Sequence, residues 1–333
     1  KGSCVAVMES VLNHLKYCVG SYTSPHLSRF SERIKINGGE VRESELCEAF
    51  TAVENARDDI QLTYFEFSTL VALLIFSKME LDFALLEVGL GGRLDAVNII
   101  DADISIITSI DLDHQEWLGV DRESIGLEKA GIIRKNKPVV YGDQNPTNSV
   151  VAAARANKAP LFMAGRDFRW RVDSSESSFS WLGNSKVKKI LDDLPIPNLA
   201  LCNVSIGIQA LFLTGIKIDH DRLQCSLRQI YLPGRFDTCI DKSTGVKVIL
   251  DVPHNPAAAF MLANNIKHEL EKNFRIKQIS AVIGVMADKD IGAFVAKLQP
   301  YVDSWYVSEL DSERSMRAKD IATCLNVEER IVL

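Results

Sequence analysis

Long hydrophobic runs are missing from this 333-residue chain. The longest, such as Leu70 to Phe76, are the size of a core helix or strand and fall short of the roughly 18 apolar residues that would read as a membrane span. An excess of positive charge is missing too. Lys and Arg total 38 against 44 Asp and Glu, a net charge of -6, so the basic footprint of a generic nucleic-acid binder is absent. Paired cysteines are also lacking. The seven, Cys4, Cys18, Cys47, Cys202, Cys225, Cys239 and Cys324, form no CxxC and are odd in number. That argues against a disulfide framework or a thiolate zinc site and for free thiols in a reducing cytosol. No internal repeat or low-complexity tract occurs. What is present, 47% hydrophobic and 25% charged residues, excludes a disordered chain. The length suits two domains at roughly 150 residues each.

Both ends read as cuts through a longer chain. Lys1-Gly2-Ser3 runs straight into an amphipathic helix, Val5 to Leu15, with no initiating Met, and Glu329 to Leu333 is a strand-like run that stops as it begins. Between them, apolar runs alternate with helical spacing. Strands are expected at Val19 to Tyr22, Ile34 to Ile36, Phe83 to Val88, Ile104 to Ile110 and Pro138 to Tyr141. Helices are expected at Glu43 to Arg57, Tyr64 to Met79, Asp121 to Ile132, Leu199 to Leu213 and Asp219 to Ile230. Residues 166 to 197 read as more irregular, with short strand candidates and polar runs such as Ser174 to Ser178. Strand-helix alternation implies βαβ units and a parallel sheet covered by helices on both faces. At Leu232-Pro233-Gly234 the pattern restarts with a hairpin, Phe236 to Ile240 and Val246 to Leu250. Helix 256–270, strand 279–285, helix 290–298 and strand 302–307 follow. The expected domains are therefore 1–232 and 233–333.

Polar clusters fall at the strand ends, where parallel sheets bind ligands. Lys1-Gly2-Ser3 at a helix N-terminus reads either as the last half of a phosphate-binding loop or as an arbitrary start. Glu87 closes a buried strand and precedes three glycines in four residues, Gly89-Leu90-Gly91-Gly92. A buried acid there needs a partner or a metal; the alternative is an ordinary turn. His114, in Asp111-Leu112-Asp113-His114, ends the next strand, and with Glu87 it makes a hard-metal site that favours Mg²⁺ over zinc. Lys129 beside Glu128 reads on spacing alone as a surface ion pair. Asp251-Val252-Pro253-His254-Asn255-Pro256 ends a strand in the second domain; capping of the following helix explains part of it. His14 and His268 on polar helix faces and His220 in a loop read as solvated bystanders.

The set Tyr22-Thr23-Ser24-Pro25-His26-Leu27, Leu62-Thr63-Tyr64-Phe65-Glu66, Glu87 to Arg93, Leu112-Asp113-His114, Glu128-Lys129-Ala130-Gly131, Pro233-Gly234-Arg235-Phe236 and Asp251 to Pro256 resembles the bacterial dihydrofolate synthase/folylpolyglutamate synthase family of the Mur ligase superfamily. The likeness runs in order from Lys1 to about Asp320. It implies a P-loop ATPase domain with a parallel-type sheet flanked by helices, a smaller C-terminal Rossmann-like α/β domain, and an active site in the cleft between them. It implies ATP-dependent ligation of L-glutamate to dihydropteroate and to tetrahydrofolates through an acyl phosphate. Its alternatives are folylpolyglutamate synthesis alone or another Mur-type amino-acid ligation.

Carried over by position, Lys1 resembles the P-loop lysine, with Gly2 and Ser3 beside it on the ATP phosphates. Ser3, Ser24, Glu87 and His114 resemble the Mg²⁺ ligands. Lys129 resembles a lysine carbamylated by CO₂; with His114 and Lys1 it is expected in catalysis. Asn203, Arg235, Asp251 and His254 resemble ATP contacts. Thr63, Phe65 and Asp95 resemble pterin contacts. A cytoplasmic monomer with small-molecule substrates, and neither nucleic acid nor membrane as partner, is implied. Three departures stand out: the upstream half of the P-loop and the helices before it are absent, Pro253 replaces a small residue, and a helix between Leu325 and Asn326 and a segment beyond Leu333 are missing.

Overall fold

The computed structural model describes residues 1–112, 115–174, 177–184, 188–253, 256–272, 276–287, 289–325 and 331–332. The chain divides into two compact units, Lys1–Leu232 and Pro233–Leu333.

In the first unit, α1 (Gly2–His14) buries Cys4, Val7, Met8, Val11 and Leu12. These recur at three- and four-residue steps and form one stripe of a helix. After β1 (Val19–Tyr22), β2 (Ile34–Ile36) and β3 (Gly39–Glu40) come α2 (Glu43–Arg57), α3 (Tyr64–Ser77) and β4 (Phe83–Leu86). They form a sheet of order β3-β2-β1-β4. β1 and β4 run parallel with Tyr22 opposite Leu86, so both strands end level. That register decides where the site residues fall. Helices α2 and α3 cover this sheet through a core that includes Tyr22, Ile34, Leu46, Val71 and Phe76.

Next come β5 (Ser105–Ile107), α4 (Gln115–Leu118), α5 (Arg122–Ala130), β6 (Val139–Tyr141), α6 (Asn148–Ala156) and β7 (Leu161–Met163). β5, β6 and β7 form a second, wholly parallel sheet. The expected parallel ladder is thus carried by two sheets. Their edge strands β4 and β5 both line a cavity of about 680 Å³, whose wall also includes Cys4, Met8 and Leu12 of α1.

The more irregular stretch with its short strand candidates is an antiparallel sheet of β8 (Arg169–Val172), β9 (Ser178–Asn184) and β10 (Lys188–Pro195). It is ordered from within by Phe179, Trp181 and Leu194, each at most 1% exposed. α7 (Leu201–Leu213) and α8 (His220–Gln229) complete this unit and pack on α1. His220 opens α8 instead of lying in a loop, and its Nε2 meets the Asp192 carbonyl at 2.9 Å, so it is no bystander. His14 is also engaged, with Nδ1 2.8 Å from the Ser10 carbonyl.

The second unit opens with the hairpin β11 (Asp237–Ile240) and β12 (Lys247–Leu250). α9 (Pro256–Lys272), β13 (Ser280–Ile283), α10 (Ile291–Leu298), β14 (Ser304–Val307), α11 (Ala318–Leu325) and β15 (Ile331–Val332) follow. β13, β14 and β15 are parallel around a core that includes Trp305, Val307, Ile321 and Leu325. All seven cysteines are free thiols. Among the described residues no helix is long and apolar enough to cross a membrane.

Candidate active site

The level ends of β1 and β4 bring Ser24 and Glu87 together. The Glu87 amide continues the ladder to the Tyr22 carbonyl at 2.9 Å, and the Ser24 amide donates to Glu87 Oε2 at 3.2 Å. Glu87 is only 7% exposed. Gly2 brings the first turn of α1 against it, because a Cβ there would stand 3.4 Å from Oε2. The positive end of a helix dipole therefore faces a buried carboxylate. Lys1 reaches over the following loop, with Nζ donating to the carbonyls of Val88 at 2.5 Å and Gly89 at 2.9 Å. Ser3 is buried in the same helical turn.

Lys1, Gly2, Ser24 and Glu87 thus form one constellation. Among the described residues, the Glu87 carboxylate makes that one hydrogen bond and no ion pair. A buried anion in that condition fits a cation. A carboxylate with a nearby hydroxyl is the hard oxygen set that suits Mg²⁺. No cluster of three His, Cys, Asp or Glu side chains able to hold a metal occurs among the described residues. His114 and its neighbour Asp113 lie outside those residues, as do His254 and Asn255.

The glycine-rich loop is fixed on three sides. Gly89 lies against Phe65; a Cβ there would come within 2.8 Å of the ring. Gly92 lies against the end of α5, where a Cβ would stand 2.9 Å from the Glu128 carbonyl and 3.0 Å from that of Lys129. Asp95 clamps the loop, one carboxylate oxygen accepting from the Leu90 amide at 2.9 Å and the other from the Val97 amide at 3.0 Å. The half-buried Lys129 is thereby placed beside the loop that follows Glu87. The ion pair of Glu128 is made with Arg93, at 3.0 Å. Adjacent helical residues point apart, whereas Arg93 is brought over by the loop.

Thr63 is the N-cap of α3. Its Oγ1 donates to Glu66 Oε2 at 2.7 Å and accepts from the Glu66 amide at 3.2 Å. Thr63 and Asp95 thus already serve structural bonds, and only their remaining lone pairs are open to a ligand. Phe65 stacks on Tyr22 with centroids 5.9 Å apart. Beside Tyr22 is a residue the sequence reading missed, Arg33, 8% exposed and without an ion pair among the described residues. An Arg ahead of a short apolar strand gives no sequence sign of burial.

Asn203 lies in the first turn of α7, where its Oδ1 is 3.8 Å from Cys4 Sγ. Burial pushes the Cys4 thiol up to about 11, leaving it a packing residue and not a nucleophile. In the second unit, Asp251 accepts from the Phe236 amide at 2.9 Å, and Arg235 Nη1 donates to the carbonyls of Gly234 at 3.1 Å and Val252 at 3.3 Å. These bonds tie the Pro233–Phe236 segment to the end of β12. Burial raises the Asp251 carboxyl above the usual range, while its hydrogen bond from Phe236 and the Arg235 charge oppose the shift.

Residues 234–332 match the family described as Mur ligase, glutamate ligase domain. That match spans the second unit, whose β13-β14-β15 sheet is parallel, and it makes the chain a Mur-type ligase in class. It is 41% identical over 321 residues to the Escherichia coli dihydrofolate synthase/folylpolyglutamate synthase, covering 96% of this chain and 73% of that one. The chain belongs to the dihydrofolate synthase/folylpolyglutamate synthase family. Among solved structures, E. coli FolC in complex with DHPP and ADP superposes with a TM-score of 0.89 at 39% identity, over 99% of this chain and 76% of that one. A bifunctional folylpolyglutamate synthase/dihydrofolate synthase with Mn, AMPPNP and L-glutamate bound superposes with a TM-score of 0.88 at 38% identity, over 99% of this chain and 78% of that one.

Proposed function

We propose that this chain is an ATP-dependent ligase that joins the amino group of L-glutamate to the carboxylate of dihydropteroate, and to the terminal glutamate of reduced folates. The observation that carries the reading is the buried Glu87 carboxylate, without a counter-ion among the described residues, held between the Ser24 amide and the Lys1–Gly2 start of α1. Relatives in this family are described with ADP, DHPP, AMPPNP, Mn and L-glutamate bound, which are the reactants or analogues such a reaction needs.

A carboxylate is a poor electrophile, so ATP first phosphorylates it. The amine attacks the acyl phosphate, and phosphate leaves. Negative charge builds on phosphoryl oxygens, so fixed cations and dipoles carry the catalysis. Lys1 and the first amides of α1 supply them; Lys1 exchanges its present carbonyl partners for phosphate. Glu87, Ser24, Ser3 and His114 would hold Mg²⁺, which supplies positive charge at the phosphates. Lys129, beside the loop after Glu87, would carry CO₂ and become an anion. Phe65 offers a flat face to the pterin, with Thr63 and Asp95 at its rim. Asn203, Arg235, Asp251 and His254 are proposed ATP contacts on the strength of the resemblance. The reaction needs neither nucleic acid nor membrane, and we propose a cytoplasmic monomer.

Glutamate-dependent phosphate release, measured with dihydropteroate and with tetrahydrofolate separately, tests the reading. Turnover of both is expected. Turnover of tetrahydrofolate alone reduces the function to folylpolyglutamate synthesis, and turnover of neither discards it.

A further inference from the structure

The loop after Glu87 and the helix that carries Lys129 are distant in the chain, and one side chain joins them. Asn98 sits in the 3₁₀ turn Ala96–Ile99. Its Nδ2 donates to the Arg93 carbonyl at 3.0 Å and to the Gly131 carbonyl at 3.2 Å. Arg93 follows the last glycine of the loop, and Gly131 stands two residues past Lys129. Asn98 Oδ1 accepts from Arg134 Nη2 at 2.8 Å. An arginine can only donate, so the amide oxygen must face Arg134 and the two amide hydrogens must face the two carbonyls.

Arg134 completes the clamp. Its Nη2 also donates to the Asn98 carbonyl at 2.7 Å, its Nη1 donates to the Gly131 carbonyl at 3.2 Å, and its Nε pairs with Asp101. Gly131 caps the end of α5, where the last carbonyls of a helix lack intrahelical partners. Asn98 and Arg134 supply such partners from outside the helix. The backbones meet at the same place. The Arg93 amide donates to the Glu128 carbonyl at 2.8 Å, and a Cβ on Gly131 would overlap the Arg93 side chain.

The clamp therefore sets the separation between Lys129 and the loop that leaves Glu87. The ion pair of Arg93 with Glu128 spans the same junction, but its Arg93 side chain is exposed and such pairs hold weakly. The Asn98 amide is half-buried and bonded to both sides, so loop and helix cannot slide without breaking its bonds.

Resting on the function proposed above, we propose that Asn98, held by Arg134, is a positioning residue that fixes Lys129 against the glycine-rich loop for the acyl-phosphate step. Its amide is engaged with protein on both its nitrogen and its oxygen, so it acts through Lys129 and not on substrate.

Asn98→Asp and Asn98→Ala in the full chain test this. Asn98→Asp keeps the shape and the acceptor for Arg134, but it turns an oxygen towards two carbonyls and pushes loop and helix apart. Asn98→Ala only removes the donors. The kcat should fall ~10- to 100-fold for Asn98→Asp, the scale of a displacement of about 1 Å at a reacting group, and by less for Asn98→Ala. KM for ATP and for dihydropteroate should hold, because the loss falls on the reacting geometry and not on ground-state binding. Melting temperatures should not follow that order: Asn98→Asp gains an ion pair with Arg134 and should melt no lower than Asn98→Ala. A second readout needs no turnover. Acylation of lysine amines, followed residue by residue with mass spectrometry, should modify Lys129 severalfold faster in either variant, with the exposed Lys217 between α7 and α8 as reference. Should Asn98→Asp not fold, Asn98→Ala is read alone for the fall in kcat at constant KM and for the faster labelling. Unchanged kcat in a folded variant, a larger fall for Asn98→Ala than for Asn98→Asp, or unchanged labelling of Lys129 overturns the proposal while leaving the ligase reading in place. If the unsubstituted chain turns over neither dihydropteroate nor tetrahydrofolate, the ligase reading is rejected, and the labelling of Lys129 alone decides whether the clamp stands.

Discussion

Glu87→Gln separates a metal-binding carboxylate from a structural one. The amide is nearly isosteric, and its Oε1 can still accept from the Ser24 amide at the present 3.2 Å. What disappears is a charge at a position 7% exposed, with no ion pair among the described residues. Removing an uncompensated buried charge relieves a desolvation cost of several kcal/mol, part of which the backbone bond and the α1 dipole already offset. A gain of about 1 kcal/mol in the metal-free protein is therefore expected, read as a melting temperature higher by a few degrees. Activity should move the other way. Loss of one electrostatic contact to the phosphate-bound cation costs roughly 2.7–4 kcal/mol in the transition state, which is about a hundredfold or more in turnover. Thermal melts with and without Mg²⁺, run beside the ligase assay, read both effects. The substitution should raise the metal-free melting temperature, abolish its increase on adding Mg²⁺, and lower ligation by about a hundredfold or more. Near wild-type turnover at saturating Mg²⁺, or a metal-free protein that melts lower, refutes the reasoning.

Three further outcomes follow from the same geometry. Lys129→Ala should be inactive and partly rescued by short carboxylic acids, which replace a carbamate's negative charge; an active alanine variant returns Lys129 to a structural role. Gly89→Ala would place a methyl 2.8 Å from the Phe65 ring and push that ring aside. It should raise KM for dihydropteroate while leaving KM for ATP unchanged, and equal effects on both would remove Phe65 from the pterin site. Asp251 has a carboxyl raised chiefly by burial, so its folded pKa lies above its unfolded one. Its stabilising contribution is full below the unfolded pKa and is lost as pH rises through the folded one. Asp251→Asn should therefore raise the melting temperature at neutral pH, with the gain shrinking as the pH is lowered into the carboxyl range; a gain independent of pH would contradict this.

Elements with a clear period were legible before any coordinates. The helix read at Glu43 to Arg57 is α2, residue for residue, and Asp121 stands outside α5 because its carboxylate caps the helix through the Ser124 amide at 2.7 Å. After Pro233 the hairpin, α9, β13, α10 and β14 were equally clear, because β13 and β14 are short apolar runs set between helices, whereas α11 (Ala318–Leu325) was not read. Helix α6 escaped because only Val150 and Ala154 of its nine residues are buried, too few to declare a period. The antiparallel sheet β8-β9-β10 was hidden by outward polar residues such as Lys188, Lys189 and Asp192. Lateral strand order is not written in local periodicity, so the division of the ladder between two sheets could not be read.

The candidate site follows the same rule. Ser24 and Glu87 were legible as strand ends, and the register of β1 with β4 makes them neighbours. The capping duty of Thr63, the clamp formed by Asp95 and the burial of Arg33 depend on which loops meet, and no spacing in the chain encodes that.

The central claim is that the chain forms an amide by way of an acyl phosphate. It is tested most directly by giving the protein dihydropteroate whose carboxylate carries heavy oxygen, together with ATP, Mg²⁺ and L-glutamate, and weighing the released phosphate by mass spectrometry. The account predicts one heavy oxygen in each phosphate released and a product heavier by one glutamyl residue. Phosphate without label, or label-free ATP hydrolysis that proceeds equally without glutamate, would contradict it.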